Sequence, residues 1–318
     1  DGTIVVAGFV EPPTAKLSCV TVQWSVDNAR TFSKPKLFEK MPGRTCGLTL
    51  LRDGTLVLAH GDKQPCVSRS EDGGHNWTTV NLPADIVPDN GGPLKLGEVS
   101  GLVELPDGTL LLALQLWGGP TGPDRQGPQG PVEATTFVLR STDGGKSWQG
   151  RAELCGLAGQ TRLLRLSSGK LLASVFKLKI GVTNKLFLAE SDDDGRTWTN
   201  TRDVTGELQP GGANLTQLDD GTVVLEYLHD TAPGRNPHSN WYYVDGTRAV
   251  ISRDEGATWE KDIYVLSRQV PPGEAPTGQG AYLSDSVALE NGHILTLCVH
   301  RAGRGMQFQA VTWKPALP

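Results

Sequence analysis

The spacing Ser-x-Asp-x-Gly-x-x-Trp constrains this chain more than any bulk property, because it occurs four times intact. The copies are Ser70/Asp72/Gly74/Trp77, Ser141/Asp143/Gly145/Trp148, Ser191/Asp193/Gly195/Trp198 and Ser252/Asp254/Gly256/Trp259, with a degenerate fifth at Ser25/Asp27/Ala29/Phe32. Asp and Gly supply a tight turn with φ > 0, and the aromatic ring folds back beneath it to be buried. One match would carry little weight. Recurrence within one chain makes the motif architectural.

A second period runs beside the first. Leu50–Ala59 reads strand, turn, strand, and its turn glycine recurs at Gly2, Gly54, Gly108, Gly169, Gly221 and Gly292, at intervals of 52 to 71 residues. Each unit is a hairpin, then a third strand, then the Ser/Asp/Trp turn into a fourth. Six of them predict an all-β fold: a six-bladed β-propeller of four-stranded antiparallel blades. The content of 39 Gly and 21 Pro, with few helix-forming runs, agrees. In this scheme strands A to D run from the axis outward, A before the glycine turn and C before the Ser/Asp/Trp turn. Residues 1–318 then form a single propeller domain whose blade 1 lacks its innermost strand, because Asp1-Gly2 already lies on the A–B turn. Blade 6 is expected to end on strand C at Met306–Trp313. An N-terminal segment of about 15 residues, absent from this sequence, would supply both missing strands.

Composition excludes several classes of partner. A net charge of −5 leaves no basic stripe for nucleic acid. No apolar run reaches the ~18 residues of a membrane helix. Cys19, Cys46, Cys66, Cys155 and Cys298 are scattered without the short spacing of a zinc site, so they read as buried thiols on strands. Neither a metal nor another cofactor is expected.

Topology sorts the remaining polar residues. The glycine turns and the Ser/Asp/Trp turns share one face, so starts of strand A and ends of strand B line the other. The A starts carry Arg44, Glu98, Gln160, Arg162, Asn214, Tyr282 and Asp285. The B ends carry Glu11, His60, Asp62, Gln115, Trp117, Lys177, Glu226, His229, His300 and Arg301. Two long B–C connections, Trp117 to Glu133 and His229 to Gly246, overhang the same face and read as binding loops; the second holds Trp241. Acids, imidazoles, guanidiniums and aromatics converge there, as a binding or catalytic site requires.

On these motifs the chain resembles the sialidase (neuraminidase) superfamily, whose six-bladed propellers carry such turns as Asp-boxes, or BNR repeats. The resemblance implies that the turn aspartates are structural and lie opposite the active site. It also implies a Tyr nucleophile activated by a Glu, an Asp acid/base and three Arg that clamp a sugar carboxylate. Tyr282 falls where the family places its Tyr, and Arg248 near one family Arg. The chain departs elsewhere: Gln160 stands where the family has an acid, and Lys177 where it has its second Arg. Glu11 is the only acid between Gly2 and Asp27, so the acid/base Asp expected there is missing, and the first family Arg would precede residue 1.

The expectation is a sialidase-like glycoside hydrolase acting on an anionic or uncommon sugar. Candidate catalytic residues are Tyr282, Asp62, Glu98, Glu226, Asp285 and His60. Candidate substrate-binding residues are Arg44, Arg162, Arg248, Arg301, Lys177, Gln160, Trp117, Trp241 and His300. Asp62 and Glu98, on neighbouring blades beside Arg44, are expected to form an acid/base pair or an ion pair stitching the blades. Two alternatives stand: a non-catalytic propeller that binds glycan or protein, and a polysaccharide lyase. The expected partner is a carbohydrate, with neither nucleic acid nor membrane, and the resemblance favours a secreted or periplasmic protein.

Overall fold

The computed structural model describes residues 2–10, 18–61, 64–83, 95–117, 134–156, 159–177, 185–204, 210–230, 244–267, 285–289, 292–302 and 305–316. Every regular element among them is a strand, and the chain is all-β. The strands form six antiparallel sheets, each a meander of neighbours in sequence. They fall into two units of three sheets.

The first unit is Asp1–Ala158 with Gly195–Thr197. Its first sheet holds β1 (Ile4–Val10), β2 (Cys19–Ser25) and β3 (Lys36–Pro42); its second holds β4 (Arg44–Leu50), β5 (Leu56–Gly61), β6 (Cys66–Ser70) and β7 (Thr78–Asn81). Its third holds β8 (Lys95–Glu104), β9 (Leu110–Trp117), β10 (Ala134–Ser141) and β11 (Gln149–Cys155). The second unit is Gly159–Asp194 with Trp198–Pro318. Its sheets are β12 (Gln160–Arg165), β13 (Leu171–Lys177), β14 (Lys185–Ser191) and β15 (Thr199–Asp203); then β16 (Pro210–Gln217), β17 (Val223–Asp230), β18 (Val244–Ser252) and β19 (Tyr264–Val265); then β20 (Ser286–Ala288), β21 (Ile294–Ala302) and β22 (Gly305–Trp313). Among the described residues the first and last sheets thus have three strands and the rest four.

Both sequence periods are turns with defined chemistry. At Gly54, Gly108, Gly169, Gly221 and Gly292 the φ is positive, and each glycine N–H donates to the carbonyl of a Leu three residues earlier at 2.9–3.0 Å. That Leu (51, 105, 166, 218 or 289) donates in turn to the residue after the glycine, which locks the hairpin. In the Ser/Asp/Trp turns, Ser141 Oγ donates to Asp143 Oδ1 at 2.7 Å and accepts from Gly145 N–H at 2.8 Å. The Asp143 carboxylate accepts from the amides of Lys146 and Ser147. Gly145 sits at φ 87 in the left-handed region that glycine favours, with the Trp148 ring beside it. The degenerate copy keeps the network: Ser25 Oγ donates to Asp27 at 2.8 Å and accepts from Ala29 N–H at 3.0 Å.

Packing follows the strand period of two. On β5, Val57 and Ala59 join the core against the third sheet, while Leu58 joins the core against the first. On β17, Val223, Leu225 and Tyr227 face the fourth sheet and Val224 faces the sixth. Second strands buried on both faces read as near-continuous apolar runs. Four of the five cysteines are free, buried thiols on strands, as expected; the Cys46 side chain lies outside the described residues.

Strand ends differ from the sequence reading. β8 begins at Lys95, so Glu98 is its fourth residue, and bulges absorb the extra length. β18 begins at Val244, which puts Arg248 mid-strand rather than at the opening. Glu226 is also mid-strand, opposite Asn214 on β16 and Ala249 on β18. The two long connections lie largely outside the described residues, at 118–133 and 231–243.

Candidate functional site

Within the second unit, polar side chains gather along β12, β13, β17 and β18. Between the fourth and fifth sheets, register decides who faces whom. Arg162 on β12 pairs with Ser174 on β13, and Gln160 pairs with Phe176. These four share the face of Leu172 and Phe176, whose core meets Tyr227 and Val250 of the fifth sheet. Arg248 pairs with Tyr227, so it lies on the fifth sheet's face of that seam. Both guanidiniums are half-buried with a buried Nε, while Gln160 is half-buried. Among the described residues the one hydrogen bond of Arg162 is from Nη1 to the Thr161 carbonyl at 3.3 Å. Ser174 Oγ is buried without a partner among them. A half-buried guanidinium with N–H donors to spare, as in Arg162, is chemically suited to meet an anion.

The seam between the fifth and sixth sheets holds Glu226, 1% exposed. Ser286 Oγ donates to its Oε2, and Thr296 Oγ1 donates to its Oε1 at 2.5 Å. Trp313 Nε1 donates to Thr296 Oγ1 at 2.9 Å. Burial pushes the Glu226 carboxyl up to about 7, against the pull of the Ser286 and Thr296 hydroxyls, and the Asp285 charge adds to the rise. Asn214 also favours the ionised form, yet its Nδ2 completes no hydrogen bond among the described residues. Asp285 itself is exposed.

The first unit treats its candidates differently. His60 is 0% exposed. Its Nδ1 lies 3.1 Å from the Pro42 carbonyl, which can only accept, so Nδ1 carries the proton. Nε2 then accepts from Ser68 Oγ at 2.7 Å, and burial pushes the imidazole down, keeping it neutral. Arg44 is exposed, its guanidinium 5.7 Å above the Phe9 ring. Thus His60 and Glu226 sit inside the protein, where a saccharide does not reach.

Asp62, Trp241 and Tyr282 lie outside the described residues. Glu98, Trp117, Lys177, His300 and Arg301 lie on described strands, but their side chains do not belong to the described set. The Asp62–Glu98–Arg44 arrangement therefore lies outside it too. Ser174, Ser286, Thr296 and Trp313 were not among the sequence candidates. The available signal was Glu226 itself, a carboxyl inside the apolar run Val223–Leu228, which demands buried partners.

No family model matches the chain. A curated sialidase of Bacteroides fragilis (strain YCH46) is 24% identical over 249 residues, covering 75% of this chain; the chain spans only 36% of that relative's length. In fold, the chain is similar to a protein of unknown function from Dyadobacter fermentans DSM 18053, with a TM-score of 0.68 at 19% identity, covering 98% of this chain and 90% of that one. The Hadza microbial sialidase Hz136 aligns with a TM-score of 0.63 at 18% identity over 93% of this chain and 60% of its own. Trypanosoma rangeli sialidase, solved with the inhibitor DANA, aligns with a TM-score of 0.62 at 14% identity, over 98% of this chain and 52% of its own. The six sheets are the blades of a six-bladed β-propeller of this kind.

Proposed function

This chain is a sialidase-like propeller, and from that premise we propose that it is a glycoside hydrolase acting on a carbohydrate with an anionic group. The observation that supports this most is the pair Arg162 and Arg248, both half-buried on the seam between the fourth and fifth blades. Partial burial strengthens a bidentate guanidinium contact with carboxylate or sulfate. Asp285 supplies an exposed acid at the head of β20, and by resemblance Tyr282 supplies the nucleophile. In that scheme Tyr282 loses its phenol proton to solvent and attacks the anomeric carbon, while a protonated Asp285 gives its proton to the departing glycan oxygen. Water then attacks the anomeric carbon, passing a proton to the Asp285 carboxylate and breaking the bond to Tyr282, which leaves as phenolate. Gln160 cannot serve as the base the family uses to activate its Tyr, so simple aryl sialosides are expected to turn over weakly.

A release assay over sialosides, uronides and sulfated glycans tests the proposal. Turnover of an anionic glycan is expected, with Arg162→Ala and Arg248→Ala each raising KM about 10–100-fold, the weight of a charge-assisted hydrogen bond. Equal turnover of neutral and anionic glycans would overturn it.

A second reading, a non-catalytic glycan-binding propeller, is favoured by Gln160 and by the burial of His60 and Glu226. Tight binding of an anionic glycan without release would replace the hydrolase by that role. An unsaturated product absorbing in the ultraviolet would indicate a lyase instead.

A further inference from the structure

Glu226 is a carboxyl that the proposed chemistry leaves unused, and its surroundings give it a different task. It reaches from the middle of β17 to two hydroxyls of the next blade, on Ser286 of β20 and Thr296 of β21. The β20 strand is three residues long and pairs with β21 at only Ser286, Val287 and Ala288. Asp285, directly before it, is tied by its carbonyl to Leu297 N–H at 3.0 Å, and its Oδ1 accepts from Ser286 N–H at 3.0 Å. A strand this short has few ladder bonds of its own, so the contact from the fifth blade fixes where it starts.

We propose that Glu226 is a positioning residue for Asp285: through Ser286 it holds the head of β20 and couples the charge of Asp285 to its own. The proposal rests on the reading of Asp285 as the exposed acid of a glycan site. Hydrogen-bond counting supports it. Trp313 can only donate, so Thr296 Oγ1 accepts from it and turns its own proton to Glu226 Oε1. Ser286 has one proton and two acceptors in reach, Glu226 Oε2 and, at 3.0 Å, Thr296 Oγ1. With Glu226 ionised, Ser286 donates to Oε2. With Glu226 protonated, the carboxyl donates to Ser286 Oγ, and the Ser286 proton rotates to Thr296. Both states are satisfied by one hydroxyl rotation, so this seam stores a proton without breaking its contacts.

The titratable groups that face Glu226 among the described residues are Asp285 at β20 and the Cys298 thiol on β21, whose own ionisation burial opposes. From the other elements come Asn214 and Thr216 of β16, Ala249 of β18 and Trp313 of β22, all neutral. Asp285 helps raise Glu226 to about 7. The bridge through Ser286 carries the charge state of Glu226 to the head of β20, where the Ser286 amide meets Asp285.

Carboxyl carbon-13 titration of the intact chain reads this without any substrate. In the wild type the Asp285 signal is expected to show a second inflection near the ionisation of Glu226. That inflection should vanish in Glu226→Gln and shrink in Ser286→Ala. An Asp285 titration that is the same in all three proteins, or a Glu226 signal that titrates as an ordinary surface glutamate, would overturn the proposal. If Glu226→Gln does not fold, the wild type and Ser286→Ala carry the same test. Where the wild type releases sugar, Glu226→Gln should move the alkaline limb of kcat while KM stays within about twofold. A wild type that releases none counts against the hydrolase reading alone, because the titration still decides the role of Glu226.

Discussion

Two sets of acids in this molecule are held in opposite ways. At the Ser/Asp/Trp turns each carboxylate lies on the surface and is ringed by donors: Asp72 accepts from Ser70 Oγ, two backbone amides and the Asn76 side chain. Such bonds stabilise the charge, and they hold Asp27 and Asp254 down at about 2, with Thr31 and Thr258 the main donors. In the seam between the fifth and sixth blades burial dominates, and Glu226 rises to about 7 despite two hydroxyl donors. An acid that builds a turn is locked into one charge state. An acid inside a seam can exchange its proton near neutrality.

The largest expected effect separates architecture from function. Trp148 is 4% exposed and packs into the core shared by the second and third sheets. Trp148→Ala should cost about 3–5 kcal/mol, as large-to-small changes at buried aromatics do. Denaturant titration measures the loss. Binding of an anionic glycan to the folded variant should be unchanged, since this turn serves the scaffold; loss of binding with the fold intact would break the contrast.

A smaller effect tests the opposed acids directly. Glu226 has a folded value of about 7 against 4.5 for the free side chain. Its contribution is therefore full below pH 4.5 and is lost as pH rises to about 7. The shift corresponds to about 3 kcal/mol. Asp27 and Asp254 have the reverse sign: lowered from 3.8 to about 2, they favour the fold above that window and cease to as pH falls through it. Urea denaturation from acid to neutral pH should show stability falling on both sides of a maximum. Glu226→Gln should flatten the neutral limb and leave the acid limb in place. A neutral limb that persists in Glu226→Gln would assign it to another group.

The fold was legible because both of its periods are local. Each glycine turn and each Ser/Asp/Trp turn closes within a few residues, so spacing alone identifies the six sheets. The site was less legible because its partners are distant. Glu226 meets Ser286 and Thr296 across 60 and 70 residues, and no local pattern announces that pairing. Strand ends misled for a related reason. Gly211 and Gly212 in β16, and Gly246 in β18, look like loop punctuation but lie within strands, with bulges or irregular register nearby. That displacement made Glu226 and Arg248 look like strand-end residues, when both are mid-strand.

The smallest expected effect concerns the degenerate turn. Each turn places two successive residues at positive φ: Gly73-Gly74, Gly144-Gly145, Asp194-Gly195, Glu255-Gly256 and, in the degenerate copy, Asn28-Ala29. The second is glycine in every intact copy. Ala29 takes the same conformation at φ 61 with the same amide bond to Ser25 Oγ, so the network forces a side chain into the left-handed region. Removing the Cβ relieves that strain, and the greater freedom of glycine in the unfolded chain offsets part of the gain. Ala29→Gly should therefore stabilise by about 0.5–1 kcal/mol, raising Tm by roughly 1–3 °C. The converse change, Gly74→Ala, meets Leu56, Trp77 and Val5 no closer than 3.5 Å, so it should cost only the backbone strain, about 1–2 kcal/mol. Thermal denaturation of the two variants beside the wild type checks both signs. A lower Tm for Ala29→Gly would mean that the Ala29 methyl contributes packing that the intact turns obtain from their larger tryptophan.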